Sequence, residues 1–138
     1  MKVVLDINVL LISIPQKSKF RPIFNAIING TFNIVISNNI LSEYVEIIEQ
    51  KTTPLIASNI AEMLLNLSNV QKVEIYFEWK LIQSDVDDNK YVDAYICSNS
   101  DYLVTNDQHF KILKQIDFPS VKLLSIDEFL SLIENDKK

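Results

Sequence analysis

Five short apolar runs, each beside a longer amphipathic segment, constrain this chain more than any other feature of it. The runs are Val3 to Leu5, Phe32 to Ile36, Val73 to Tyr76, Tyr102 to Val104 and Val121 to Leu124. Being largely continuous rather than alternating, they read as strands covered on both faces, as in a parallel sheet between helical layers. The segments between them predict helices over about Lys19 to Asn29, Asn39 to Gln50, Pro54 to Leu67, Asn89 to Ser98, Gln108 to Lys114 and Ile126 to Asn135. The order βαβααβαβαβα implies an α/β fold, a three-layer α/β/α sandwich with a central, mostly parallel sheet. With 138 residues, 48% of them hydrophobic, the chain suits one core, hence one domain over 1–138.

Terminal signals support these elements. Asn29-Gly30 stops a helix, Pro54 suits a first turn, and Ser125 with Glu128 forms a capping box. Asn69 and Asn99 stand where a left-handed residue would otherwise call for glycine. The single glycine, Gly30, excludes a glycine-rich phosphate loop, so neither a dinucleotide fingerprint nor a P-loop is available. Cys97, the only cysteine, falls in a helical pattern and reads as a small core residue in a reducing, cytoplasmic setting. No apolar run reaches the ~18 residues of a membrane span, and the N-terminus lacks the order of a signal peptide. The net charge of -5 argues against a surface coated for indiscriminate nucleic-acid binding, while leaving room for a local basic patch.

Asp6 interrupts the apolar stretch "VVLDINVLL". An ionised carboxylate buried there costs several kcal/mol unless it is paired or bound to a cation. In a parallel α/β sheet the ligand crevice lies beyond the carboxyl ends of the strands. Asp6 falls there after the first strand and Asp107 after the fourth, while Glu43 lies in the first turns of the helix after the second and Asp88 at the entrance to the helix before the fourth. Four segments thus deliver carboxylates to one edge. Such a cluster requires a counter-charge, and an oxygen-only donor set favours Mg²⁺ or Mn²⁺ over zinc. A metal of this kind lowers the pKa of water and stabilises the charge of a phosphodiester under attack. Each acid also has a plainer use: Asp88 and Asp107 as helix caps, Glu43 as a solvated acid in an early turn. Asp85 and Asp87 can simply decorate a loop, and Asp93 lies about 140° around the helix from Asp88. His109 can donate to a phosphate or serve as a half-exposed structural residue.

Together, "VVLDINVLL", the Glu of "ISNNILSEYVEII", the segment "DVDDNKYVDAYICSNSDYLVTNDQHF" and the closing "VKLLSIDEFL" resemble the PIN-domain ribonucleases, in particular the PIN-family toxins of bacterial and archaeal toxin–antitoxin pairs. The resemblance spans about residues 1 to 125. It implies a Mg²⁺- or Mn²⁺-dependent ribonuclease with Asp6, Glu43, Asp88 and Asp107 as its acidic metal site. It also implies supporting roles for Asn8 and Thr105, an auxiliary one for Asp93, a homodimer, and a small antitoxin protein that shields the acids. Ile7 stands where the family commonly has Thr or Ser.

An RNA substrate needs positive charge or stacking surfaces along the strand. "QKSKFRP" offers Lys17, Lys19, Arg21 and Phe20 as a backbone contact, extended by Lys90, Lys111 and Lys114. Three other readings stand beside this one. A haloacid dehalogenase-type phosphatase needs Asp where Asn8 stands, and a phospho-receiver domain needs paired acids after strand one and a Lys after the last strand. A metal- or partner-binding module without turnover is the third. Met63, Leu64 and Leu67 of the helical hairpin suit an interface or, more simply, the core.

Overall fold

A computed structural model describes residues 1–136; residues 137 and 138 of the expected domain lie outside the described residues. Its sheet holds five strands: β1 (Lys2–Leu5), β2 (Asn33–Ile36), β3 (Val70–Lys72), β4 (Tyr102–Val104) and β5 (Leu123–Leu124). They lie in the order β3-β2-β1-β4-β5, and every pair is parallel. Val3 pairs with Ile34 of β2 and Tyr102 of β4, so β1 is central. Val3, Val4 and Leu5 are all buried, as are Ile34, Val35 and Ile36. Since successive strand residues point to opposite faces, both faces of the sheet are covered.

The covering helices are α1 (Ile7–Ser13), α2 (Arg21–Asn29), α3 (Asn38–Lys51), α4 (Pro54–Asn66), α5 (Asn89–Ser98) and α6 (Ile126–Asp136). α5 packs on β1, β2 and β4 and touches α3; α2 packs against α1 and α6; α3 and α4 form a hairpin. Phe32 and Phe129 meet edge-to-face at 5.1 Å in the core. Local chemistry sets the helix ends. Ser37 and Thr53 cap α3 and α4 through their side-chain oxygens. Ser125 and Glu128 bond each other's backbone N–H groups at 2.9 and 3.1 Å. Gly30, at φ +74°, and Asn99, at φ 55°, close α2 and α5 in the left-handed conformation.

Several expectations require correction. The third strand is Val70–Lys72, not Val73 to Tyr76; only the Val73 N–H still reaches the ladder, donating to the Ile36 carbonyl at 2.8 Å. The hairpin therefore leads into a polar edge strand, and the more apolar run beyond it is irregular. α1 follows β1 after one residue, where no helix was expected. Gln108–Gln115 is a 3₁₀ helix. Asn69 is not left-handed; its amide donates to the carbonyls of Ile27 and Phe32, both at 2.9 Å, tying the end of α2 to the start of β2. Cys97 is exposed rather than core, with its thiol against the Glu74 carbonyl. Among Met63, Leu64 and Leu67, Leu64 is fully buried and the other two pack on the core. No helix among the described residues is long and apolar enough to cross a membrane.

Candidate active site

The strand order reverses direction at β1 and β4: from β1 the chain builds outward to β2 and β3, and from β4 outward to β5. A crevice at the carboxyl ends of such a pair is where open α/β sheets bind ligands. Asp6 leaves β1 there, and Asp107 leaves β4 there.

Asp6 is 4% exposed and serves as N-cap of α1, its Oδ1 accepting from the Asn8 backbone N–H at 3.2 Å. Its Oδ2 accepts from the Thr105 hydroxyl at 2.8 Å. The Thr105 Oγ1 in turn accepts from the Asp107 N–H at 3.0 Å, so one hydroxyl holds both acid-bearing strand ends in register. Burial raises the Asp6 carboxyl above its ordinary value; the two hydrogen bonds oppose this, and the charges of Asp107 and Glu43 add to it. Asp107 caps the following 3₁₀ helix, accepting from the His109 N–H at 2.8 Å.

Asp88 lies at the end of a short 3₁₀ turn, Val86–Asp88, that leads into α5. It stands at the N-cap position of α5, yet its side chain makes no capping bond. Its Oδ2 is buried and has no hydrogen-bond partner among the described residues. The His109 imidazole stands beside it, with Nδ1 3.6 Å from that oxygen, 3.2 Å from Asp107 Oδ1 and 3.7 Å from Asp85 Oδ2. The Asp88 carboxyl is pushed up to about 7, first by burial and then by the charges of Asp85, Asp107 and Asp6, with His109 opposing.

Glu43 comes from α3 with both oxygens engaged. Oε1 accepts from the Tyr91 hydroxyl and Oε2 pairs with Lys90 Nζ at 2.9 Å. Lys90 is thereby a partner of an acid at the site's edge. Tyr91 and Tyr44 are each 1% exposed, and burial is the first cause of the raised pKa of both phenols.

Of the remaining sequence candidates, Asn8 stays beside Asp6 while Asp93 lies further out. Asn8 contributes its backbone N–H, and the residue is exposed. Asp93 is buried and accepts from the Trp79 N–H at 3.0 Å; burial raises its carboxyl, and the charge it feels is Glu78 rather than the four acids. Lys19 pairs with Asp127 at 3.2 Å, and Lys17 is exposed. Arg21 is committed internally: Nη1 donates to the Ile14 carbonyl at the end of α1, Nε donates to Asn25 at 3.0 Å, and the guanidinium lies over the Phe24 ring. Phe20 lines a cavity of about 330 Å³ that Asp6, Asn8, Asn106, Asp107 and Asp127 also border. A larger groove of about 980 Å³ runs past Glu43, Lys90 and Asp93.

The structure thus brings Asp6, Glu43, Asp88 and Asp107 to one edge, and adds Asp85 and His109. Asp85, Asp88 and His109 offer ligand atoms that lie within 4.8 Å of one another. An orphaned buried carboxylate oxygen and two carboxyl pKa values raised first by burial and then by neighbouring acids are what an enclosed acidic site without a counter-charge produces. Asp85, Asp88 and His109 fit a divalent cation, with a histidine nitrogen in the set where the sequence predicts oxygen donors alone. Tyr44, Tyr91 and the pairing of Lys90 escaped the sequence reading; the available signal was a tyrosine beside Glu43 and another one helical turn after Asp88, each in an apolar setting where a hydroxyl needs a partner.

A family profile described as PIN domain matches residues 2–109. The chain belongs to the PIN-domain family, a family of nucleases. No curated protein matches it in sequence. A solved chain from the crystal structure of VapBC2 from Rickettsia felis, bound to a DNA fragment from their promoter, superposes with a TM-score of 0.62 at 17% identity. The match covers 91% of this chain and 98% of that one, so the likeness of fold runs nearly end to end.

Proposed function

We propose that this chain is a divalent-metal-dependent endoribonuclease, active in the cytoplasm as the toxin of a toxin–antitoxin pair. The observation that carries the proposal is the buried Asp88 Oδ2 without a hydrogen bond among the described residues, at the β1/β4 switch point where Asp88 feels the charges of Asp107 and Asp6. Asp6, Asp88 and Asp107 hold Mg²⁺ or Mn²⁺, with Asp85 and His109 at the margin. When bound, the ion supplies positive charge to the phosphodiester and lowers the pKa of water. Thr105 fixes the Asp6 carboxylate, and Glu43, held by Tyr91 and Lys90, orients water at the edge of the site. Lys17 and Lys19 meet the RNA backbone. The likeness to VapBC2 supports a protein partner, an antitoxin that covers the acids. Leu55, Ile56 and Leu65, exposed on α4, give a homodimer an apolar surface. Family membership draws weight from the phosphatase reading.

The test is cleavage of labelled single-stranded RNA and DNA by wild type and Asp6→Asn, with Mg²⁺, Mn²⁺ or a chelator. RNA cleavage that needs metal and drops at least about 100-fold in Asp6→Asn supports the proposal, since an essential ligand is removed with little change of shape. Equal cleavage by the two proteins overturns the role of Asp6. No cleavage by wild type on any RNA, including total cellular RNA, favours the module without turnover.

A further inference from the structure

The junction that presents Asp6 is a single residue between a strand and a helix, and it leaves buried backbone groups to satisfy. The Leu5 carbonyl closes β1 and the Ile7 N–H opens α1, where the first N–H groups of a helix have no partner in the helix. Two tyrosines meet them. Tyr44 Oη donates to the Leu5 carbonyl at 2.5 Å, and Tyr91 Oη accepts from the Ile7 N–H at 3.2 Å while donating to Glu43 Oε1.

Each tyrosine comes from an element that carries, or begins just after, an acid of the site. Tyr44 follows Glu43 directly on α3, and Tyr91 is three residues beyond Asp88, on α5. We propose that Tyr44 and Tyr91 are positioning residues that clamp the peptide on either side of Asp6 and so fix the spacing of Asp6, Glu43 and Asp88 on which metal binding depends. This rests on the nuclease reading of the site. The hydroxyl of Tyr91 does the most, because it uses one lone pair for Ile7 and its proton for Glu43, joining the β1–α1 junction to α3. Glu43 is thereby held in one orientation, with Lys90 on its other oxygen. The ring of Tyr91 packs near Phe110 at 6.3 Å, so phenylalanine can keep that packing and remove the hydroxyl alone.

Outer partners that orient metal ligands typically change metal affinity or activity by about 10- to 100-fold when removed. Tyr91→Phe and Tyr44→Phe are compared with wild type in the full chain by Mn²⁺ titration followed by electron paramagnetic resonance, by hydrogen exchange of the Ile7 amide, and by RNA cleavage. Tyr91→Phe is expected to exchange Ile7 faster, bind Mn²⁺ at least about tenfold more weakly, and lower kcat more than it changes KM. In a Glu43→Ala background its effect on Mn²⁺ affinity should shrink but persist, because Tyr91 acts on the Asp6 junction through the Ile7 N–H as well as on Glu43. A purely structural role predicts additive losses instead. Mn²⁺ affinity within twofold of wild type in both phenylalanine variants overturns the clamp while leaving the nuclease reading intact. A folded wild type that neither binds Mn²⁺ nor cleaves RNA removes the nuclease reading and the clamp's role with it. If Tyr91→Phe fails to fold, Tyr44→Phe, which removes one bond to the same junction, decides by the same measurements.

Discussion

Asp88 shows at a single residue how a charged site is held against the tendency of a fold to exclude it. Its carboxyl, ordinarily near 3.8, is pushed up to about 7 in the fold, first by burial. The folded chain therefore binds this proton more tightly than the unfolded chain. The sign of the linkage follows: Asp88 has no effect on stability below about pH 4, withdraws stability as pH rises toward 7, and stays unfavourable above that. With chelator present, Asp88→Asn should match wild type near pH 4 and exceed it by about 1–2 kcal/mol at pH 8, a discounted share of the shift because some solvent reaches the group. Saturating Mg²⁺ should close or reverse that gap, since binding stabilises only the protein that binds. Denaturant unfolding at pH 4, 6 and 8 measures it, and a difference that does not vary with pH would contradict the raised carboxyl of Asp88. Of the four acids, Asp6 was legible in the sequence because an apolar setting leaves a carboxylate few uses. The cap-like place of Asp88 hid its lack of a capping bond, which no spacing rule contains.

At the scale of elements, legibility tracked the length and contrast of the pattern. β4 and α5 fell where periodicity put them, because each is a clear run bounded by turn residues. α1 was invisible for a different reason. "INVLLIS" is seven residues of nearly unbroken apolarity, too short and too uniform to show a helical period, and it is set as a helix by the Asp6 cap. β3 was misplaced because a polar edge strand loses to a neighbouring run rich in Val, Ile and Tyr in any propensity argument. That run belongs to a stretch without regular structure, residues 73–85, pinned to α5 by side chains. Asn89 accepts from the Ile82 N–H and donates to the Ile82 carbonyl, both at 2.9 Å, and Asp93 holds the Trp79 N–H. Removing the Asn89 amide leaves two buried backbone groups unpaired. Asn89→Ala should cost about 2–3 kcal/mol by denaturant unfolding and speed hydrogen exchange over residues 79–85. Because the stretch leads directly into the turn carrying Asp85 and Asp88, metal affinity should fall with it. Unchanged exchange at 79–85 would show that the Trp79 and Glu74 contacts suffice to hold the stretch.

For the whole molecule, the proposed RNA substrate poses a difficulty, a polyanion meeting an acidic site on a protein of net charge -5. The positive charge available near the site is sparse and partly committed. Lys90 is bound to Glu43, Arg21 to the end of α1 and Asn25, and Lys19 to Asp127 in an exposed pair. These commitments differ in strength. An exposed ion pair is worth about 0–1 kcal/mol and yields readily to a phosphate, whereas a guanidinium that satisfies a helix-end carbonyl does not. Lys17 and Lys19 are therefore the residues of "QKSKFRP" free to follow an RNA backbone, and Arg21 braces the segment that carries them. On single strands each phosphate contact contributes about 0.7 to the slope of log affinity against log salt. Replacing Lys17 and Lys19 with alanine should flatten that slope by about 1.4 and weaken binding to a single-stranded RNA severalfold at low salt, measured with Asp6→Asn as the background so that no cleavage interferes. Arg21→Ala should instead lower the melting temperature, by leaving the Ile14 carbonyl without its donor, and keep the slope of its parent. A flattened slope in Arg21→Ala with unchanged melting would reverse this division of labour and place the guanidinium on the RNA.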